Sequence, residues 1–544
     1  MFKLSKKRGT FLFFGITLLF WLIVFLSFWP NMLKYEPDGL YAGWIGIWGD
    51  WAAHMSYATS LSVQDKFPPS FPILAGHVFS YPFGTDYISA LLLKFGIPLR
   101  EAMLLPSFLL SLLLVVSLLL FFKTITQNAK TSAIAVFLFL FNGGLGFLWF
   151  FADFQKLGWG IFNNLPREYT HLDTVANIEW INIIPSEFIP QRGFLLGLPI
   201  VMFNLSLFWK LYKDPGKVKV WQLTMAGFLT GLLPLIHMHS LAVTLGFFAW
   251  TFLLTLKKGF FSKWLYFILP ATGLVLILVN LFYPQLGSNF LSFKPGWLAP
   301  DRGDNPFVFW VKNAGVMLFL PLFGLILAKR QCRIWSIPFW GLFVLANLFL
   351  FQPFAWDNTK YFTYWWMGSS LFAAIFLEKL LSKGIFYKLL GLTLFVLSIF
   401  SGVLDVARVT QYEHQKILMF DNQSLEFAEW IKENTPKDSV FLTADNHDHP
   451  IPVLTGRSIV HGYPAWLWTY GINTGQTRQK VEAVYNGDTN SVSFINELNI
   501  DYIVIGPWER NIFKNLKADF IQQNYRLIYQ EGGVEVYKVS LLQP

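Results

Sequence analysis

The sequence predicts a polytopic α-helical membrane protein of about eleven transmembrane helices, carrying a C-terminal α/β domain outside the membrane. Hydrophobic residues make up 54% of the 544 and mean hydropathy is +0.45. Only 14% are charged, against about 25% in an average soluble domain. From about residue 411 onward the long apolar runs give way to a soluble pattern. Together these exclude a soluble enzyme.

The first ten residues carry Lys3, Lys6, Lys7 and Arg8, and an apolar run follows from about Phe11 to Pro30 with no small-residue cleavage site behind it. This pattern predicts a retained first helix and a cytoplasmic N-terminus. Further apolar runs centre near residues 113, 141, 203, 229, 248, 274, 320, 343, 371 and 396. An odd number of spans puts the tail outside the cell. Alternate short loops hold the cations: Lys123 and Lys130; Lys210, Lys213, Lys217 and Lys219; Lys257, Lys258 and Lys263; Lys329, Arg330 and Arg333; Lys379, Lys383 and Lys388. The intervening loops are longer and carry nearly all the acids that lie outside the tail. The net charge of +9 is therefore a positive-inside signature and implies no nucleic-acid partner. The single cysteine, Cys332, rules out intramolecular disulfides and Cys-based metal sites.

Residues 1–408 read as the transmembrane domain and 409–544 as the extracytoplasmic domain. Within the first, 31–100 form a long outer loop with helical stretches at Gly49–Gln64 and about Thr85–Phe95, separated by a turn rich in Pro68, Pro69 and Pro72. Both helices are expected to lie at the membrane interface. In the tail, a helix is expected over Ser424–Asn434 and strands over Ser439–Thr443, Tyr502–Gly506 and Gly533–Val539.

Reactive groups gather in the outer loops. Asp50 and His54 stand four residues apart, on one face of a helix, where a carboxylate beside an imidazole suits a general base. A solvated helix N-terminus would need the same residues. Gln191 and Arg192 sit where a span begins, and a guanidinium at a helix N-terminus favours a phosphate; an arginine reaching lipid headgroups is the plainer alternative. His237 and His239 border a tight outer turn. Asp357 and Lys360 open another span among Phe354, Trp356, Tyr361, Phe362, Tyr364, Trp365 and Trp366. They read as a local ion pair or a further phosphate contact, and the aromatics as an interfacial belt or sugar platforms. The topology places all of these on one face, so they are expected to meet in one outward site. The run Asp445-Asn446-His447-Asp448-His449 looks like metal ligands on paper and equally like a solvated turn.

An acid in a long first outer loop of juxtamembrane helices, about eleven spans and an outer C-terminal α/β domain together resemble the GT-C superfamily of integral-membrane glycosyltransferases. Tyr81-Pro82-Phe83-Gly84-Thr85-Asp86-Tyr87 looks like a loop segment of such enzymes. The tail resembles the "YYY" membrane-protein family through Leu454-Thr455-Gly456-Arg457, His461-Gly462-Tyr463, Arg478 to Tyr485 and Tyr502 to Arg510. The resemblance implies inverting transfer of a sugar from a polyprenyl-phosphate-linked donor to a glycan, lipid or protein acceptor. Asp50 would be the base, with Asp38 as fallback, and Arg192, Lys360 and a protonated His237 or His239 would steady the leaving phosphate. The outer loops lack the Asp-X-Asp pair of the metal-dependent oligosaccharyltransferase branch. No required cofactor is therefore expected, and a divalent metal is not favoured. The competing class is a transporter or flippase of lipid-linked sugars, for which neither inverted repeats nor mid-span charge pairs are visible.

Overall fold

The computed structural model describes residues 6–256, 260–283 and 290–541; Lys3, Lys257 and Lys258 lie outside the described residues. The chain divides into two compact units. One comprises 1–30, 107–278 and 289–415, the other 31–106, 279–288 and 416–544. Neither unit is continuous in sequence.

The first unit is helical. It contains α1 (Lys6–Phe28); the second unit contributes α2 (Ile45–Val63) and α3 (Gly84–Lys94), and α4 (Leu99–Thr126) runs from the second into the first. Then follow α5 (Arg192–Lys213), α6 (Met238–Thr255), α7 (Phe261–Phe282), α8 (Thr359–Leu381) and α9 (Ile385–Val409). Among the described residues six helices are long and apolar enough to cross a membrane, or seven if the bent pair Pro306–Leu318 and Leu320–Leu327, 48° apart, is one span. The expected count of about eleven is not reached by length and composition, although each expected run does contain a helix. Ala129–Leu140 has 12 residues, about 18 Å at 1.5 Å per residue against a hydrocarbon core of about 30 Å.

Helix α8 falls short for another reason. It has 23 residues, but Glu378 and Lys379 near its end, the Tyr and Trp residues of its first turns, and Thr363, Ser369 and Ser370 lower its hydropathy; the three hydroxylated residues are fully buried. It is the central helix of the unit, flanked by Ala129–Leu140, Leu320–Leu327, Ile337–Leu348 and α9. Where Leu320–Leu327 crosses it, a Cβ on Gly324 would lie 1.8 Å from the Phe372 carbonyl oxygen, so only glycine permits that approach. Phe362, Tyr364, Trp365 and Trp366 are 0–2% exposed. Phe362 and Trp365 pack with Trp310 and Phe343, Trp366 packs on Trp365, and Tyr364 packs on Phe194; these four are core residues, which corrects for them the expectation of an interfacial belt or a sugar platform.

In the second unit the first outer loop and the tail share a sheet. β1 (Leu33–Glu36) and β2 (Gly39–Ala42) form a hairpin, and β3 (Ile417–Asp421) pairs antiparallel with β2. A five-stranded sheet follows: β4 (Val440–Leu442), β5 (Ser458–Ile459), β6 (Tyr502–Ile505), β7 (Tyr525–Glu531) and β8 (Val534–Leu541), in the order β5-β4-β6-β8-β7. β4 runs parallel to β5 and β6; β8 runs antiparallel to β6 and β7. β6 is buried throughout, Ile503 and Ile505 facing one core cluster and Tyr502 and Val504 the other. Strands with both faces covered read as unbroken apolar runs.

Polar motif residues hold the tail's geometry. Buried Arg457 donates to the Thr455, Lys432 and Thr435 carbonyls, closing the end of the helix Asn422–Asn434. Fully buried Glu509 accepts from the amides of Ala444 and Gly506 and from His449 Nε2. Gly456, at φ +73°, lets the tail backbone meet α2, where a Cβ would sit 2.7 Å from the Thr59 carbonyl oxygen.

Candidate functional site

The expected residues fall into both units. In the second unit, Asp50 lies one turn into α2, half-buried. His54 is buried one turn further on, and its Nδ1–H donates to Asp86 Oδ2 at 2.9 Å. The side chains of this pair are 4% and 0% exposed. The carboxylate opposite His54 is thus Asp86, in the first turn of α3, rather than Asp50. A carboxylate on Nδ1 fixes the tautomer and leaves Nε2 as the acceptor. Nothing in the sequence ties His54 to an acid 32 residues away; only the packing of α3 on α2 does.

Phenols crowd around Asp50 and Asp86. Tyr57 OH lies 3.1 Å from Tyr470 OH, and the Tyr81 ring lies 4.7 Å from that of Tyr470. Burial pushes both Tyr57 and Tyr470 well above the usual phenol range, and Asp50 and Asp86 add to the rise. They act as neutral hydrogen-bonding groups. Asp38 sits exposed in the β1–β2 turn and accepts from Tyr41 OH at 2.7 Å.

In the first unit, three of the expected phosphate ligands converge. His237 precedes α6, and His239 lies in its first turn, their ring centroids 5.1 Å apart. Lys360, in the first turn of α8, is within electrostatic reach of both and donates to Asp357 Oδ1 at 2.8 Å. His239 Nε2–H donates to Gln352 Oε1 at 3.1 Å. His237 Nδ1 accepts from the Ser240 amide and lies 2.8 Å from Ser240 Oγ, which is 2.7 Å from Tyr364 OH. With Nδ1 held as an acceptor, the proton rests on Nε2, a buried atom with no hydrogen-bond partner among the described residues. His237 is therefore arranged as a neutral donor, against the expectation of a protonated imidazole at that position, while the Nε2–H of His239 is already given to Gln352. Ionising a buried imidazole beside an ammonium costs desolvation and repulsion together.

Arg192 occupies the first position of α5 and is 0% exposed, with Nε donating to Ser107 Oγ at 3.1 Å. It is not an arginine reaching for headgroups. Gln191, half-buried, stands at the cap position of the same helix. Thr359, next to Lys360, donates to buried Glu187 at 2.6 Å. Sequence reasoning gave no role to Asp86, Ser240 or Gln352, and read Tyr364 only as one of the belt or platform aromatics. The signals were Asp86 alone in the first turn of an amphipathic helix and Gln352 five residues before Asp357.

The Asp445–His449 run does not converge. Asp445 pairs with Arg478 and His461, and His449 pairs with Glu509. Burial would raise the Asp445 carboxyl, but His461 and Arg478 outweigh it and hold it below the usual range. Among the described residues no group of three or more His, Cys, Asp or Glu is arranged to hold a metal ion.

ArnT from Cupriavidus metallidurans bound to undecaprenyl phosphate superposes with a TM-score of 0.52 at 11% identity, over 98% of this chain and 98% of that one. The apo state of ArnT gives 0.51 at 11% identity over 96% and 97%. This chain has the fold of ArnT. The archaeal oligosaccharyltransferase AglB from Archaeoglobus fulgidus, in complex with an inhibitory peptide and a dolichol-phosphate, gives 0.47 at 12% identity over 97% and 74%. No family model and no curated protein matches the sequence.

Proposed function

We propose that this chain is a GT-C glycosyltransferase that moves a sugar from a polyprenyl-phosphate donor to an acceptor hydroxyl on the extracytoplasmic face, with inversion. The observation that carries the reading is the convergence of Lys360 with two imidazoles, one presenting a buried N–H without a partner among the described residues. Such a set suits a phosphate oxygen, and the ArnT fold supports it because that structure holds undecaprenyl phosphate. In this reading the N-terminus is cytoplasmic and the tail extracytoplasmic.

Asp50 takes the acceptor proton as the acceptor oxygen attacks the anomeric carbon. The bond from that carbon to the phosphate oxygen breaks, and the lipid phosphate leaves with the electron pair. Lys360 meets the growing charge, His237 donates its neutral Nε2–H, His239 is held beside it by Gln352, and enclosed Arg192 contributes its field at the α5 N-terminus. Asp357 orients Lys360, and Asp86 orients His54. Asp38 is the fallback base. No step is assigned to a metal, because the outer loops lack an Asp-X-Asp pair.

The test is transfer from a labelled polyprenyl-phosphate sugar in membranes. Asp50→Asn should abolish turnover with expression intact. Lys360→Ala should raise the donor KM about 10- to 100-fold, the range of one charge-assisted hydrogen bond worth about 1.5–3 kcal/mol. Near-normal turnover in Asp50→Asn refutes the base assignment.

A further inference from the structure

Around Asp50 the second unit builds a wall of half-buried aromatics that the transfer chemistry does not use. The His447 ring lies 4.2 Å from Trp48, 5.7 Å from Tyr463 and 6.2 Å from Trp466, and Tyr463 and Trp466 are 5.4 Å apart edge to face. Asp50 is two residues beyond Trp48, and its charge acts on His447. The wall comes from three segments: the start of α2, the turn 446–449 and the short helix Pro464–Thr469 with Tyr463 at its cap. Trp48, His447 and Trp466 are half-buried and Tyr463 is exposed, so their rings are neither core nor free surface.

The same place holds unspent hydrogen-bonding capacity. Asn446 Nδ2 donates to Asp448 Oδ1 at 2.9 Å. Asn446 Oδ1 and His447 Nε2 are buried without partners among the described residues. Buried polar atoms are nearly always paired, so two orphans on adjacent residues mark where a ligand or water supplies the partner. A pyranose offers both complements: an apolar C–H face for an aromatic ring and a rim of hydroxyls that donate and accept. A peptide would call for a strand edge or backbone partners, and a lipid chain would leave both polar atoms unsatisfied.

We infer that this wall is the acceptor subsite and that the acceptor is a carbohydrate, its ring stacked on Trp466 and Trp48 and its hydroxyls bonded to Asn446 and His447. The inference rests on the transferase reading above for Asp50 and adds the acceptor class to it.

The test separates the two. Saturation-transfer NMR on the full chain in detergent, with maltotetraose, chitotetraose and mannotetraose and with an acceptor-type hexapeptide as probes, measures binding without turnover. At least one oligosaccharide should show ring-proton saturation, lost in Trp466→Ala and kept in Trp466→Phe. In the transfer assay, Trp466→Ala and Asn446→Ala should each raise the acceptor KM about tenfold, equivalent to about 1.4 kcal/mol. The donor KM should not move, and Trp159→Ala, at an exposed ring far along the sequence, should change neither. Binding of the hexapeptide alone, of no oligosaccharide, or an acceptor KM indifferent to Trp466 and Asn446 overturns the carbohydrate subsite. Loss of all transfer in the wild-type chain, with oligosaccharide binding intact, would instead count against the transferase reading.

Discussion

Removing the carboxylate of Asp86 should be among the more damaging single changes in the second unit. The pair it makes with His54 is 2.9 Å long and enclosed on both sides. Asp86→Ala leaves the Nδ1–H of His54 buried and unpaired, a penalty of about 1–3 kcal/mol. Asp86→Asn keeps an oxygen for that N–H but exchanges a charge-assisted bond for a neutral one, a loss of about 1 kcal/mol. At about 2–4 °C per kcal/mol for a unit of this size, Asp86→Ala should lower the melting temperature by about 2–12 °C and Asp86→Asn by about 2–4 °C. Thermal unfolding of the full chain in detergent measures both. A double-mutant cycle with His54→Ala should return a coupling of about 1 kcal/mol or more. If Asp86→Ala melts with the wild type, or the two substitutions are additive, the pair does not hold α3 to α2.

Two further substitutions probe close packing and a buried acid. Gly456→Val combines a backbone at φ +73° with a Cβ 2.7 Å from the Thr59 carbonyl and should lower the melting temperature by several degrees, about 1–3 kcal/mol; proteolysis of the 446–470 region would report the loosened contact. Glu168 is pushed up to about 7, first by burial and then by the Asp405 carboxylate, with Arg408 opposing. Its folded value lies above its unfolded one, so the stability it contributes is complete below about pH 4.5 and is lost as pH rises through about 7. Glu168→Gln should therefore flatten the melting-temperature profile between about pH 5 and 8, and an unchanged slope would contradict the burial of that carboxyl.

How far the chain could be read in advance depended on whether the signal was local. The tail helix expected at Ser424–Asn434 spans Asn422–Asn434, and the strand expected at Tyr502–Gly506 spans Tyr502–Ile505; both follow from short-range periodicity. The loop helix expected at Gly49–Gln64 spans Ile45–Val63 for the same reason. β1 and β2 went unseen because Leu33–Ala42 alternates weakly, and its partner β3 is a separate stretch of the tail. Hydropathy found where helices lie, including the run that holds α8, but not that its small and hydroxylated residues are buried in packing between helices. In the candidate site, the convergence of His237, His239 and Lys360 was visible as shared topology. The Asp86 partner of His54 and the Ser240–Tyr364 chain behind His237 were not, because each is a side-chain pairing across elements that no spacing encodes.

The hairpin of β1 and β2 has a cost in time. Glu36 binds Lys416, its ion-pair partner 380 residues away, and β2 pairs with the β3 strand that follows at once. At about 5–20 residues per second, a ribosome needs about 20–80 s between making the two. Throughout that interval the nascent hairpin presents an unsatisfied edge, the kind of surface that invites association with other chains. The outer edge of β2 is thus closed only by a segment made some 380 residues later.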